Sequence, residues 1–252
     1  MFPVERRKAI LEILDKRNSV SVEELSKTLF TGEATVRRDL DKMAREGIIT
    51  RTHGGAVRLQ NENIDYPLSF RESENGRVKD ELCAAAAQLV SDGQSLFLDG
   101  SSTVIRIIGK IAFKKRLKII TNGVKTAYEL SQAGIDTVCT GGTLSVASAS
   151  LTGVETVNFV NKYNVDSFFF SCRALSLDRG ISESSEEVAQ VKRAMAMRAR
   201  RNILLADAGK FGKTAFCSLD IMDLIGFIIT DAPLSEDWRR LFNKHNIKVI
   251  VV

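Results

Sequence analysis

Residues 31–56, TGEATVRRDLDKMAREGIITRTHGGA, constrain the fold of this chain more than any other stretch. At about 100° per residue, Val36, Leu40 and Met43 fall on one side of a helix and Ala34, Arg38 and Arg45 on the other. Such a helix has a core face and an anion-facing face. Gly47 ends it, and the segment that follows reads as a strand, a Gly-Gly hairpin turn and a returning strand over 56–59. Arg51, His53 and Arg58 belong to this wing, where they can touch phosphates or a minor groove.

The residues upstream complete the motif. Ala9, Ile10, Ile13 and Leu14 recur at helical spacing, which makes 4–16 a first amphipathic helix. Ser21-Val-Glu-Glu24 matches a capping box, in which the serine hydroxyl and the Glu24 carboxylate satisfy amides at the start of a second helix. That helix is short, buries Leu25 and Leu29, and stops at Thr31-Gly32. The three helices form a helix-turn-helix whose last member enters a major groove through its N-terminal residues. The partner expected from this is a double-stranded DNA operator. A protein-docking module is the alternative, and it predicts no salt-sensitive affinity for duplex DNA.

Bulk properties agree without deciding. The 252 residues, 44% of them apolar, suffice for one small and one mid-sized core. A net charge of +5 does not announce a polyanionic partner, although residues 1–58 hold twelve Lys/Arg against nine Asp/Glu. No apolar run approaches the roughly 18 residues of a membrane span, and the opening MFPV lacks a secretory signal, so a cytoplasmic protein without membrane contact is expected. Cys83, Cys139, Cys172 and Cys217 are widely spaced and the only histidines are His53 and His245. Reduced thiols, no metal site and no cofactor follow.

The chain divides into a DNA-binding domain over 1–59, a linker over 60–76 and an α/β domain over 77–252. The linker reading rests on the polar, irregular run QNENIDYP and on ESENG, with Tyr66 and Phe70 as docking contacts. Beyond it, an Ala-rich helix over 78–90 precedes short apolar runs at 95–98, 117–120, 137–140, 167–170, 203–206, 224–229 and 248–252. Helical segments at 103–112, 124–132, 184–201 and 235–243 separate several of them. This alternation implies a Rossmann-like, mainly parallel sheet covered on both faces, with a strand order that sequence does not reveal.

The strand ends carry the chemistry. They are Asp99-Gly-Ser-Ser-Thr103, Thr121-Asn122-Gly123, Gly141-Gly142-Thr143, Ser171-Cys172-Arg173, Asp207-Ala-Gly-Lys210 and Thr230-Asp231. Open α/β sheets collect ligands at these carboxyl ends, although the same residue types are also ordinary caps and turn formers. Amides of Gly100, Ser101 and Ser102, with the hydroxyls of Ser101, Ser102 and Thr103, can cradle a phosphate, which leaves Asp99 for a sugar hydroxyl and Lys210 for charge. DAGKFGKT at 207–214 ends like a P-loop but begins with a carboxylate where that motif needs glycine. HExxH, GxSxG and GxGxxG are all absent, so no catalytic constellation is visible and an enzyme is not expected.

The opening ERRKAILEILDKRNSVSVEELSKTLF, the TVRRDL core and the trailing THGGA resemble the DeoR family of bacterial transcriptional regulators. The second half is similar to that family's effector domain, with Lys79, LDGSST, ITNG, TGG, SLTG, VKRAM and LADAGKFG in order. The resemblance implies a homo-oligomeric repressor of sugar-utilisation genes, with a sensor domain like ribose-phosphate isomerases that binds a phosphorylated sugar. It places operator contacts at Thr35, Arg37, Arg38, Arg51 and His53. It places the effector at Asp99, Gly100, Ser101, Ser102, Thr103, Thr121, Asn122, Gly141, Gly142, Glu183 and Lys210. Two departures stand out: Gly32 replaces a serine helix cap, and Phe170-Ser-Cys-Arg-Ala-Leu175 replaces a glycine-rich segment. The competing reading is an active sugar-phosphate isomerase fused to a DNA-binding module, with Asp99 or Glu183 as base and Lys210 on the phosphate.

Overall fold

The computed structural model describes residues 2–58 and 66–252, which divide by contact density into units at 1–74 and 75–252. The first unit comprises α1 (Pro3–Arg17), β1 (Ser19–Ser21), α2 (Val22–Thr28), α3 (Glu33–Arg45), β2 (Ile49–Arg51), β3 (Gly55–Arg58) and α4 (Leu68–Ser73). Proline opens α1, and Asn18 closes it in the left-handed region at φ 60°. The expected capping box forms at α2: Glu24 N donates to Ser21 Oγ at 3.1 Å, and Ser21 N donates to the Glu24 carboxylate at 2.9 Å. Gly32 begins α3 with no side-chain cap.

The three strands make an antiparallel sheet in the order β1-β3-β2, so the wing gains a third strand that sequence reading did not include. Gly55 is required there, because a Cβ would lie 2.1 Å from the Val20 carbonyl oxygen. Ile10, Leu14, Leu25, Val36, Leu40, Met43 and Ile48 fill the core between helices and sheet. The expected end of the returning strand at Leu59 lies outside the described residues, as does 60–65 of the linker. The remainder of that segment differs from the irregular reading: Leu68–Ser73 is helical, and Phe70 is buried in the first unit's core beside Tyr66. Leu68 and Phe70 supply too much apolar surface for a solvated tether.

The second unit opens with α5 (Gly76–Ala87) and β4 (Ser95–Leu98), then a 3-10 turn at Val104–Ile107 running into α6 (Ile108–Ile111). Next come β5 (Lys118–Thr121), α7 (Val124–Gln132), β6 (Thr137–Cys139), a hairpin of β7 (Thr143–Ser145) and β8 (Ser150–Thr152), and α8 (Val154–Val160). They are followed by β9 (Val165–Phe170), β10 (Ala174–Ser176), β11 (Gly180–Glu183), α9 (Glu186–Met197), β12 (Ala199–Leu205) and β13 (Cys217–Ser218). The chain ends with β14 (Ile225–Thr230), α10 (Glu236–Lys244) and β15 (Lys248–Val251).

Seven strands form one all-parallel sheet in the order β15-β14-β12-β9-β4-β5-β6. Alternate residues divide between its faces, as strand geometry demands. Phe97, Phe168, Phe170, Leu204 and Ile228 pack under α9 and α10 with Met195, Trp238 and Phe242. Leu96, Leu98, Phe169, Ile203 and Leu205 pack on the opposite side with Leu82, Ile107 and Ile111. The helix expected over 184–201 ends at Met197, and 199–201 already belong to β12. There, pairing with β9 outweighs the helical propensity of Ala and Arg. The β7–β8 hairpin and the small sheet β10-β11-β13 were not expected from sequence.

Candidate functional sites: a DNA-reading helix and a sensor crevice

On α3 the inward residues Val36, Leu40 and Met43 are fully buried, and the opposite face is charged. Its rotation is fixed by Asp39, which is buried and ion-paired with Arg6 of α1. Thr35 is half-buried, whereas Arg37 and Arg38 are exposed. Arg37 pairs with Glu33 at 3.0 Å, both side chains about half exposed, an arrangement typically worth less than about 1 kcal/mol and easily exchanged for a phosphate. Arg38 makes only a long bond, 3.4 Å, to the Ala34 carbonyl.

The wing residues separate. His53 is exposed at the hairpin tip. Arg51 is half-buried and donates to Asp41 Oδ1 at 3.0 Å and to the Gly55 carbonyl at 2.8 Å, so it braces the wing against α3. Arg58, expected beside it on the DNA side, instead pairs with Asp15 of α1 at 2.6 Å and lies over the Tyr66 ring. Both were readable as basic from sequence, but their acidic partners sit on other elements, α3 for Arg51 and α1 for Arg58.

In the second unit the strand order reverses between β4 and β9, since β5 and β6 extend one way and β9, β12, β14 and β15 the other. Ligand crevices of open α/β sheets lie at such a reversal. Here Asp99, which follows β4, meets Ser171, which follows β9. Asp99 Oδ1 accepts from Ser101 N at 3.0 Å and Oδ2 from Ser171 N at 3.1 Å, while the Ser171 hydroxyl donates to the Leu205 carbonyl at the end of β12.

Lys192 of α9 lies at the centre of this junction. Its Nζ is 2.5 Å from Glu183, 3.2 Å from Asp99 and 2.6 Å from the Ser171 carbonyl oxygen. Burial alone would push its pKa down; the carboxylates of Glu183 and Asp99 outweigh that and raise it, so the ammonium stays charged. Asp99 is therefore not free for a sugar hydroxyl: it is 1% exposed and already holds a lysine and two amides. Sequence reasoning missed Lys192. The signal was present, because Lys192 shares a helix face with Ala189, Met195 and Ala196, all buried.

The Asp99–Thr103 turn is buried and bound from several sides. Lys79 donates to Ser102 Oγ at 3.2 Å, and Ser101 Oγ caps Val104 N at 3.1 Å. Thr103 is 1% exposed. Gly100 admits no side chain, since a Cβ would stand 2.1 Å from Ser150 Oγ and 3.0 Å from the Gly123 Cα. Two strand-end segments and the start of β8 thus touch. Thr121 is buried and accepts from Gly123 N at 3.0 Å, and Asn122 donates to the Leu151 carbonyl at 3.0 Å. Gly141 and Gly142 are exposed, at the margin, with the Gly141 carbonyl held by Thr156 at 2.6 Å. Lys210 reaches the Cys172 carbonyl at 2.7 Å and Asp207 at 3.9 Å. Arg173, in the atypical segment, is half-buried at the end of β9. Thr230 ends β14, and Asp231 accepts from Ala208 N at 2.7 Å.

Asn122 Oδ1, Thr140 Oγ1 and Ser148 Oγ are buried side-chain atoms with no hydrogen-bond partner. They belong to the ends of β5 and β6 and to the β7–β8 hairpin. Among the described residues no group of three or more His, Cys, Asp or Glu could hold a metal ion, and no helix is long and apolar enough to cross a membrane.

A helix-turn-helix with a three-stranded wing, joined to a parallel α/β unit whose strand order reverses between β4 and β9, defines a DNA-binding regulator with a sensor domain. The DeoR-like helix-turn-helix model matches residues 6–62 and the DeoR C-terminal sensor model residues 74–232. This chain belongs to the DeoR family of transcriptional regulators. It is 34% identical to the uncharacterized HTH-type transcriptional regulator YulB of Bacillus subtilis, covering 100% of this chain and 98% of that one. It is 30% identical to the HTH-type transcriptional regulator GolR of Listeria innocua, covering 99% and 98% respectively. The glycerol-3-phosphate regulon repressor of Escherichia coli is 25% identical, covering 99% of each chain. Among solved structures, ribose 5-phosphate isomerase A of Methanocaldococcus jannaschii covers 55% of each chain with 16% identity and a TM-score of 0.42, too distant a likeness to carry function.

Proposed function

We propose that this regulator represses sugar-utilisation genes and that a phosphorylated sugar or polyol, bound in a crevice at the carboxyl ends of β4, β5 and β6, sets its grip on operator DNA. The observation that carries the ligand reading is the set of partnerless buried atoms on Asn122, Thr140 and Ser148. Buried polar groups are rarely left unsatisfied, and two hydroxyls with an amide oxygen suit a polyol. Gly100, Ser101, Ser102 and Thr103 suit its phosphate, with Lys79 and Lys210 as the nearby cations. The relative named as a glycerol-3-phosphate regulon repressor supports the same ligand chemistry. An isomerase would need an uncommitted carboxylate, whereas Asp99 and Glu183 are both bound to Lys192.

Arg38, Arg37, Thr35 and His53 are the operator contacts in this reading, with Arg51 supporting the wing. The regulator acts in the cytoplasm, where its operator is, and as a homo-oligomer. Val124, Tyr128, Val138, Leu144, Val146 and Val154, exposed apolar residues on the adjoining elements α7, β6, β7–β8 and α8, supply a surface for a second copy. Control follows from differential affinity, because a ligand that prefers the DNA-incompetent arrangement shifts population toward it. Thermal-shift screening of sugar and polyol phosphates tests the proposal. A cognate ligand at about 100 times its dissociation constant adds roughly 2.7 kcal/mol of apparent stability. A panel in which no sugar phosphate raises the melting temperature, while free sugars or nucleotides do, contradicts it.

A further inference from the structure

Residues 110–118, KIAFKKRLK, hold five Lys/Arg and no Asp/Glu, which equals the entire formal net charge of +5. They run from α6 to the start of β5, in the sensor unit and not in the DNA-reading unit. Lys110 lies 3.8 Å from Asp80, but Lys114, Lys115, Arg116 and Lys118 have no ion-pair partner among the described residues. Lys115, Arg116 and Lys118 are exposed, and Lys114 rests 5.2 Å from the centre of the exposed Phe113 ring.

The turn that carries them is held in place. Lys115 N donates to Asp92 Oδ1 at 3.1 Å, Gly93 N to the Lys115 carbonyl at 2.8 Å, and Lys118 N to the Gln94 carbonyl at 3.0 Å. Arg116 is fixed in the left-handed region at φ 57°. A carboxylate that approaches the turn is thus engaged by its backbone. On the helix-turn-helix unit, by contrast, Arg37, Arg51 and Arg58 each have an acidic partner. Apart from Asp80 beside Lys110 and Asp92 on the Lys115 amide, no carboxylate among the described residues engages these cations, which repel one another.

We propose that this turn is a second, sequence-independent contact to the phosphate backbone of duplex DNA. The inference rests on the DNA-binding function of the family. Five cations without an acidic residue in nine positions complement a row of phosphates, and duplex DNA is the polyanion that this family binds. The cations sit on a turn, not on a helix or a two-stranded ribbon of the kind that fills a major groove, so they contribute affinity and position, not sequence choice.

The test is the salt dependence of binding by the intact protein to a mixed-sequence duplex of about 60 base pairs, since each phosphate contact contributes about 0.9 to the slope of log affinity against log salt. Lys114→Ala/Lys115→Ala/Arg116→Ala is expected to lower that slope by about 2 to 3 and affinity at low salt by at least tenfold. Lys114→Arg/Lys115→Arg/Arg116→Lys should restore both. The same slope in the wild type and the alanine variant overturns the proposal, and is the result expected if the turn meets a protein instead. Should the alanine variant melt early, the glutamine triple variant replaces it. A wild type that binds no duplex at all would remove the DNA-binding reading itself, a distinguishable result.

Discussion

Arg38 and Lys192 carry the same charge in opposite settings. Arg38 projects from α3 into solvent with one long bond to its own helix, and nothing in the fold depends on it. Lys192 is buried between two carboxylates and a carbonyl that belong to β4, β9 and β11 segments, and it ties those segments together. A charge kept at the surface costs little and stays available to a partner. A charge taken inside is committed to structure, and the ligand that later enters the crevice must use the groups it leaves over.

Removing each cation separates the two roles. Lys192→Met leaves Asp99 and Glu183 buried without a counter-charge and should cost about 3–5 kcal/mol in denaturant unfolding of the intact chain; a loss under 1 kcal/mol would show that the crevice does not depend on it. Arg38→Ala should leave stability unchanged while costing about 1–3 kcal/mol of operator affinity if the side chain reads a guanine. Equal affinity with and without it would return Arg38 to the solvated surface.

The helix-turn-helix also offers a smaller contrast within itself. Ser21→Ala breaks the capping box and should cost about 1 kcal/mol. Phe30, in the turn before α3, is 96% exposed at φ 49°, a conformation that costs a side-chain residue roughly 1–2 kcal/mol. Phe30→Gly should therefore raise the melting temperature, and a lower one would mean that the ring makes a contact worth more than the strain. Smallest is a labelling difference. Burial pushes the Cys172 and Cys83 thiols up to about 12, while Cys139 is exposed, so alkylation of the native protein at pH 8 should reach Cys139 first.

Sequence showed the elements more fully than their neighbours. The three helices, the capping box and all seven strands of the main sheet follow from periodicity and local turn chemistry, which are written within a few residues. Strand order, the β7–β8 hairpin and the small sheet depend on pairings across long separations, which leave no local trace. The same holds at the sites. Asp99 was legible as a strand-end carboxylate, but its commitment to Lys192 depends on a residue far along the chain. Arg51 and Arg58 were legible as wing cations, yet Asp41 and Asp15 decide where they point. The helical fate of Leu68–Ser73 was obscured because its apolar residues sit inside a polar stretch.

The most direct test of the coupling between crevice and helix is a fluorescence-anisotropy titration on a duplex selected from random sequence by the wild-type protein. It is run with and without the sugar phosphate found by thermal shift. The wild type should change affinity by about 5- to 150-fold on adding ligand, whereas Ser102→Ala/Lys210→Ala should keep the ligand-free affinity and lose most of that change. A full ligand response in the double variant would contradict the crevice as the sensor.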